Sequence, residues 1–446
     1  MLEKHRAKPR GRLTGPFIVA SIASLTIAAL APRADAQSSR TREDRSSAYG
    51  RGQGAAGDKP AGLTFDEDGI TFRSEDGRLE TNLGGRLQLD AGGGEGRGPL
   101  AEQSLWRGRV RRAWAEFLLT YDRAWTLSAQ VDVSNRQSPI QDLALGYSGL
   151  GPFIFTIGNF TQPFSLENLE SSNAFPFMER SLANALSTGR GTGFAIGANQ
   201  GRWTAVAGVF GADINEGALN NGVAVTARVT YAPLLDKQES KILHLGVAAS
   251  VRATGRSADF SIQPTPESRV YDTPIIGFDA VRGVRNLARF GFEAAFQNGP
   301  LLLQGQYILA RADREAAPEE WRKGILQGGY VQAAYMLTGQ ARSYELAPRY
   351  GATYAVFGGV DLAEKDRVSR GGFGAWEIAA RYSVLDLDHG RLRGGTEHNA
   401  TIGLNWYPDT NVRVLANYIH AFGDNVNGTN RRASVDIVQV RLQIAY

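Results

Sequence analysis

The chain has 446 residues and no cysteine, which excludes a disulfide framework, thiolate metal sites and cysteine nucleophiles together. Its 49 Lys and Arg against 45 Asp and Glu look basic. However, residues 1–36 hold six of the bases (Lys4, Arg6, Lys8, Arg10, Arg12 and Arg33) and two of the acids (Glu3 and Asp35), leaving 43 of each beyond them. A neutral remainder gives no ground for nucleic-acid binding.

The first segment is a basic head, an apolar stretch from Phe17 to Leu30, and Ala34-Asp35-Ala36 ahead of Gln37. That is the layout of a secretory signal peptide over 1–36, with an apolar core short of a spanning helix. Residues 37–62 are rich in Arg, Ser and Gly with little to bury, and are expected to form a disordered periplasmic linker. The folded part is placed at 63–446. No later stretch approaches the ~20 continuous apolar residues of a membrane helix, so a membrane role requires a β-barrel.

From Leu63 on, the chain repeats segments of roughly 8–14 residues with period-2 alternation, separated by turn residues. Asp68-Gly69 and Asp76-Gly77 punctuate the first of them as hairpin turns. In the last segment Val438, Val440, Leu442, Ile444 and Tyr446 share one face, with Gln439, Arg441, Gln443 and Ala445 on the other. Charged and amide residues at strand centres, with Trp and Tyr ending the apolar faces, predict lipid outside and water inside. The fold class is therefore all-β, a transmembrane antiparallel barrel. Sixteen strands are predicted, at 78–90, 108–121, 124–134, 139–149, 152–160, 191–200, 202–211, 222–233, 241–253, 287–297, 301–312, 324–338, 373–386, 396–407, 410–421 and 433–446. Short links such as Tyr121-Asp122-Arg123 and Asn298-Gly299-Pro300 alternate with long ones at 161–190, 254–286 and 313–323, as periplasmic turns alternate with external loops. The long segment 339–372 falls on the short side; it either enters the lumen or hides a hairpin that would make eighteen strands.

Several stretches resemble one family, the phosphate- and polyphosphate-selective porins (porins O and P) of Gram-negative outer membranes. They include RVRRAWAEF (109–117), IQDLALGYSGLGPFIFTIGNFTQPFSLE (140–167), FMERSL (177–182), GAWEIAARYS (374–383) and TIGLNWYPDTNVRVLANYIHA (401–421). The resemblance implies a usually trimeric sixteen-stranded barrel whose third external loop, here 161–190, folds inward as a constriction. It also implies a ladder of wall arginines for anions, with lysines on the loop and one aspartate at the narrow point. By that resemblance Arg111 and Arg112 stand at the paired arginines, Asp142 at the aspartate, and Arg228 and Arg252 at ladder positions. Asn168 and Asn173 stand where the family has its loop lysines, beside Glu167 and Glu170. At an effective dielectric of ~20, each lost charge at ~4 Å is worth roughly 4 kcal/mol to an anion.

Arg107, Arg109 and Arg111 alternate onto one face, and Arg112 then needs a bulge or a subunit interface to be accommodated. Glu167, Glu170, Glu179 and Arg180 either act at the constriction or anchor the loop to the wall. His244, His389, His398 and His420 have no metal-ligand spacing. No metal, cofactor or catalytic residue is assigned. The functional expectation is an outer-membrane porin passing small hydrophilic or anionic solutes among outer-membrane lipids. True phosphate selectivity is the alternative; a barrel enzyme or a secreted β-sandwich is a remoter one.

Overall fold

The computed structural model describes residues 61–446 except 68, 217–221, 315–322, 347, 350–351, 391 and 425–430. The expected signal peptide and all but the last two residues of the expected linker lie outside the described residues.

A hairpin of β1 (Gly62–Asp66) and β2 (Gly69–Arg73) comes first, paired Asp66↔Gly69 as the Asp-Gly signal predicts. Then follow β3 (Leu79–Arg97), β4 (Ser104–Tyr121), β5 (Trp125–Asp132) and β6 (Ile140–Leu150). Next are β7 (Phe153–Thr161), β8 (Arg190–Gln200), β9 (Trp203–Phe210) and β10 (Val223–Asp236). They continue with β11 (Lys241–Ile262), β12 (Phe278–Asn298), β13 (Leu301–Arg314) and β14 (Lys323–Met336). An insertion carries β15 (Arg342–Glu345), β16 (Pro348–Arg349), β17 (Ala352–Thr353) and β18 (Val356–Val360). The chain ends with β19 (Ala375–His389), β20 (Leu392–Asp409), β21 (Val412–Asp424) and β22 (Ala433–Ala445).

Strands β3–β14 and β19–β22 pair antiparallel in sequence order, and β22 returns to β3 from Ser434↔Arg97 to Ala445↔Arg86. This closes a barrel of sixteen strands and leaves the wall no free edge, the condition for crossing a bilayer with strands. The eighteen-stranded alternative does not hold: β15 pairs with β18 and β16 with β17, outside the wall. The hairpin β1–β2 adds to the wall only through the pairing of β2 with the start of β3.

Alternation is inverted relative to a soluble sheet. On β22, Val438 is 50% exposed while its neighbour Gln439 is 1% exposed, and Arg441 is buried between the exposed Val440 and Leu442. Aromatic side chains (Tyr121, Trp125, Trp203, Tyr231, Tyr335, Trp376 and Trp406) mark the short-turn ends of the strands, as an interfacial girdle should.

Three strands run past their predicted ends on the long-loop side, to Arg97, to Ile262 and back to Phe278. The expected loop 254–286 thereby shrinks to the stretch between Ile262 and Phe278. Those overhangs, such as AGGGEGR at 91–97, stand clear of the apolar band. They carry no lipid-facing alternation for a sequence pattern to detect.

Register resolves the crowding at Arg111 and Arg112. Gln88 pairs with Arg112 but Leu89 with Val110, so Arg111 is the extra residue of a β-bulge. A bulge turns two consecutive side chains to the same face. Both arginines therefore reach the lumen, and no subunit interface is needed to accommodate Arg112.

The lumen is partly filled from both ends. From the long-loop end come the segments 162–189 and 263–277, burying Phe164, Leu166, Phe177, Met178, Leu182, Tyr271 and Ile275. From the short-turn end comes the insertion around β15–β18. Its Tyr344 hydroxyl meets His244 Nδ1 at 2.7 Å, its Ala355 carbonyl accepts from Arg228 at 2.9 Å, and Tyr354 donates to Thr161 O at 2.9 Å. Segment 339–372 thus enters the lumen rather than lengthening the wall. Gly328 on β14 matters here, because a Cβ would stand 3.2 Å from the Cα of Ala183 in the inward loop.

The inverted pattern makes a stability prediction. Ile402, 63% exposed on the outer face of β20, should not tolerate a charge. Ile402→Arg is expected to cost about 2–4 kcal/mol in denaturant unfolding from lipid vesicles, and Ile402→Leu close to nothing.

Candidate functional site

The inward loop 161–190 is built on a short helical turn, α1 (Leu166–Leu169), capped by Ser165, whose Oγ accepts from Asn168 N at 3.3 Å. Ser165 Oγ in turn donates to Gln306 Oε1 at 2.9 Å, and Leu166 N donates to Glu293 Oε2 at 2.9 Å. The helix start is thereby tied to β12 and β13.

Between α1 and a 3-10 turn at Leu182–Leu186 the loop runs without regular structure, and side chains of the wall take its backbone carbonyls. Arg413 donates to Phe175 O at 3.0 Å, Asn405 to Pro176 O at 2.9 Å and Arg441 to Met178 O at 2.5 Å. Arg381 donates to Glu179 O at 3.0 Å, and Arg342 of the opposing insertion donates to Ala174 O. Arg180, inside the loop, donates to the carbonyls of Glu167, Asn168 and Glu170, closing the end of α1.

Two glutamates complete the attachment. Glu167 accepts from Ser181 N and Oγ, both at 2.7 Å, and lies 3.3 Å from Arg381. Burial raises its pKa against the pull of Arg381. Glu179 accepts a bidentate pair from Arg111 at 2.7 and 2.9 Å, meets Arg441 at 2.7 Å, and has Arg112 at 3.9 Å. Burial alone would raise the Glu179 carboxyl. The arginines around it overcome burial and hold it well below the usual carboxylate range.

Between this loop and the wall formed by β3–β8 remains a cavity of about 220 Å³. Five arginines line it: Arg86, Arg111, Arg112, Arg180 and Arg190. Three acids do so as well, Asp132, Asp142 and Glu170, together with Trp114 and Asn168. Arg86 is shared between Glu116 at 2.7 Å and Ser172 Oγ at 2.7 Å, and stacks 4.2 Å above the Trp114 ring. Asp142 pairs with Arg190 at 2.8 Å. Glu170 is different. Its Oε2 accepts from Gln304 at 3.3 Å, its Oε1 has no partner, and burial pushes it up to about 8. At that value it is mostly protonated at pH 7 and loses its proton in mild alkali.

Arg111, Arg112, Asp142, Asn168, Glu170 and Arg180 therefore meet at one gap. Other predicted residues stand elsewhere. Arg109 is exposed above it and donates to Arg269 O at 2.9 Å. Arg228 is buried against Glu293 at 2.6 Å under the insertion. Arg252 reaches Gly211 O at 3.3 Å. Asn173 faces a second cavity of about 240 Å³ toward the short-turn end, so the two asparagines lie on different sides of the loop. The sequence reading did not single out Arg86, Arg190, Arg342, Arg381, Arg413 or Arg441. Arg441 had already shown one usable signal, a charge at a lumen-facing position of an alternating strand.

An inside-out barrel narrowed by an inward loop around a charged, water-accessible gap defines an outer-membrane porin. The profile of the phosphate-selective porin O and P family matches residues 81–446, and the chain belongs to that family. It is 26% identical over 421 residues to Porin O of Pseudomonas aeruginosa, covering 85% of this chain and 91% of that one. Two solved structures share the fold. They are the outer membrane channel DcaP of Acinetobacter baumannii and an anion-selective porin from Comamonas acidovorans. DcaP has a TM-score of 0.53 at 11% identity, covering 84% of this chain and 99% of that one. The Comamonas porin has a TM-score of 0.52 at 11% identity, covering 82% and 100%.

Two outcomes follow from the charges. Removing the Glu179 carboxylate leaves Arg111 without its counter-ion and Arg441 with Asp90 alone, so Glu179→Gln should weaken loop docking by roughly 3–5 kcal/mol. Excess current noise and faster proteolysis within 162–189 would report it. The second outcome is pH-dependent. A carboxyl raised to about 8 is protonated below that pH, so alkali adds a negative charge to the gap. Anion-over-cation permeability is expected to fall between pH 7 and 9 in the native channel and to stay flat in Glu170→Gln.

Proposed function

We propose that this outer-membrane channel passes small hydrophilic solutes by passive diffusion with a preference for anions. The observation that carries the reading is the lining of the gap, where five arginines face three acids, one of them Glu170, which burial pushes up to about 8. A narrow, electropositive passage replaces part of an anion's hydration shell with fixed guanidinium groups and repels cations. The channel works as a homotrimer, in keeping with the family resemblance, catalyses no reaction, and loses residues 1–36 on export.

Phosphate selectivity is the second reading, favoured by family membership and by the name of the Pseudomonas relative. Against a tight phosphate station stands Asn168, the loop side chain at the gap, whose amide donates to Thr188 O at 2.7 Å and adds no charge. Planar-bilayer reversal potentials and chloride conductance with added phosphate separate the two readings. The expected result is moderate anion selectivity and no block of chloride current at sub-millimolar phosphate; block at that level would establish the second reading. Asn168→Lys should raise anion selectivity several-fold, whereas Asn173→Lys, beyond the gap, should change it little.

A further inference from the structure

Among the described residues, three cavities follow one another along the lumen, and the charge of their lining changes sign. The external one, about 330 Å³, shares Arg111, Arg112 and Arg180 with the gap. Its charged lining is those three and Arg269 against Glu179 and Glu267. The periplasmic one, about 240 Å³, meets the gap at Ser171. Its charged lining is Glu67, Glu345, Asp361 and Glu364 against Arg367 and Arg413.

Among the described lining residues the balance is four acids to two bases. Arg413 spends its guanidinium on the carbonyls of Asn173 and Phe175, and Arg367 on Glu67 at 3.0 Å and the Leu362 carbonyl at 3.3 Å. Asp361 and Glu364 are exposed at the mouth, on the segment that enters from the periplasmic end. Lys365 and Arg370 belong to the same segment but do not line the cavity.

We propose that this channel rectifies: a basic external half and an acidic periplasmic half in series make ionic current larger in one direction. The inference rests on the reading of the chain as an open anion-preferring channel. When the external side is negative, anions enter through the basic half and cations through the acidic half, so mobile ions accumulate in the passage. Reversing the voltage makes each ion enter through the half of its own sign, and the passage is depleted. The effect requires a Debye length comparable to the cavities, roughly 10 Å at 0.1 M, and disappears near 1 M where it is roughly 3 Å. Solute anions would thus be favoured inward, with Glu345, Asp361 and Glu364 setting the direction.

The test is the current–voltage curve of the full-length channel in a planar bilayer in 0.1 M and 1 M KCl. Orientation is assigned with Gln137→Cys on the external 133–139 loop, a unique thiol in a cysteine-free chain, which a bulky maleimide reaches from one side only. Expected is a current on the order of two-fold larger with the external side negative at 0.1 M, and a linear curve at 1 M. The triple variant Glu345→Gln/Asp361→Asn/Glu364→Gln should lose the asymmetry while keeping its 1 M conductance. A linear native curve at 0.1 M, or asymmetry unchanged in the triple variant, overturns the proposal and leaves the channel reading intact. Absence of any conductance overturns both.

Discussion

Turning the polar faces of sixteen strands inward crowds charge into a lumen too narrow to hydrate it, and an unpaired buried ion costs several kcal/mol. The arrangement around Glu179 answers that constraint. One carboxylate of the inward loop lies among Arg111, Arg112 and Arg441, from two different stretches of wall, and neither side of the contact could be buried without the other. The same logic repeats at Glu167 with Arg381, at Glu377 with Arg342, and at Glu293 with Arg228. Loop, insertion and wall are each other's counter-ions.

That solution divides the lumen by function. On the β19–β22 flank the arginines are spent on loop carbonyls and carboxylates, and the loop covers them. On the β3–β8 flank the loop leaves a gap, and the arginines there still border water. A basic side chain in such a barrel is therefore not by itself part of a conduction path. The partners it has already met decide whether a passing ion can use it. The gap also owes its character to Glu170, whose Oε1 has no partner and whose carboxyl burial pushes up to about 8.

The alternation of side chains was legible to within a few residues at most strand ends inside the apolar band, because lipid on one face and water on the other impose period 2 directly. It failed at the overhanging ends of β3, β11 and β12, where inner residues such as Ile262, Val281 and Val284 are apolar and buried, so the lipid-out, polar-in rule lapses. The bulge was legible only as a contradiction: Arg111 and Arg112 could not both face inward on a regular strand, and register alone showed which residue is extra.

By itself the amino-acid sequence determined the inside-out all-β wall and the absence of cations between Thr161 and Glu179, since these follow from local pattern and composition. It left sixteen or eighteen strands open, and the inward course of the loop was what the family resemblance implied. Tertiary structure decided which arginines border the gap, which glutamate is buried without an ion-pair partner, and that a second segment enters from the periplasmic end. Those outcomes depend on pairs such as Arg441 with Asp90 and Glu179, residues far apart in the chain that only barrel closure brings within hydrogen-bond distance.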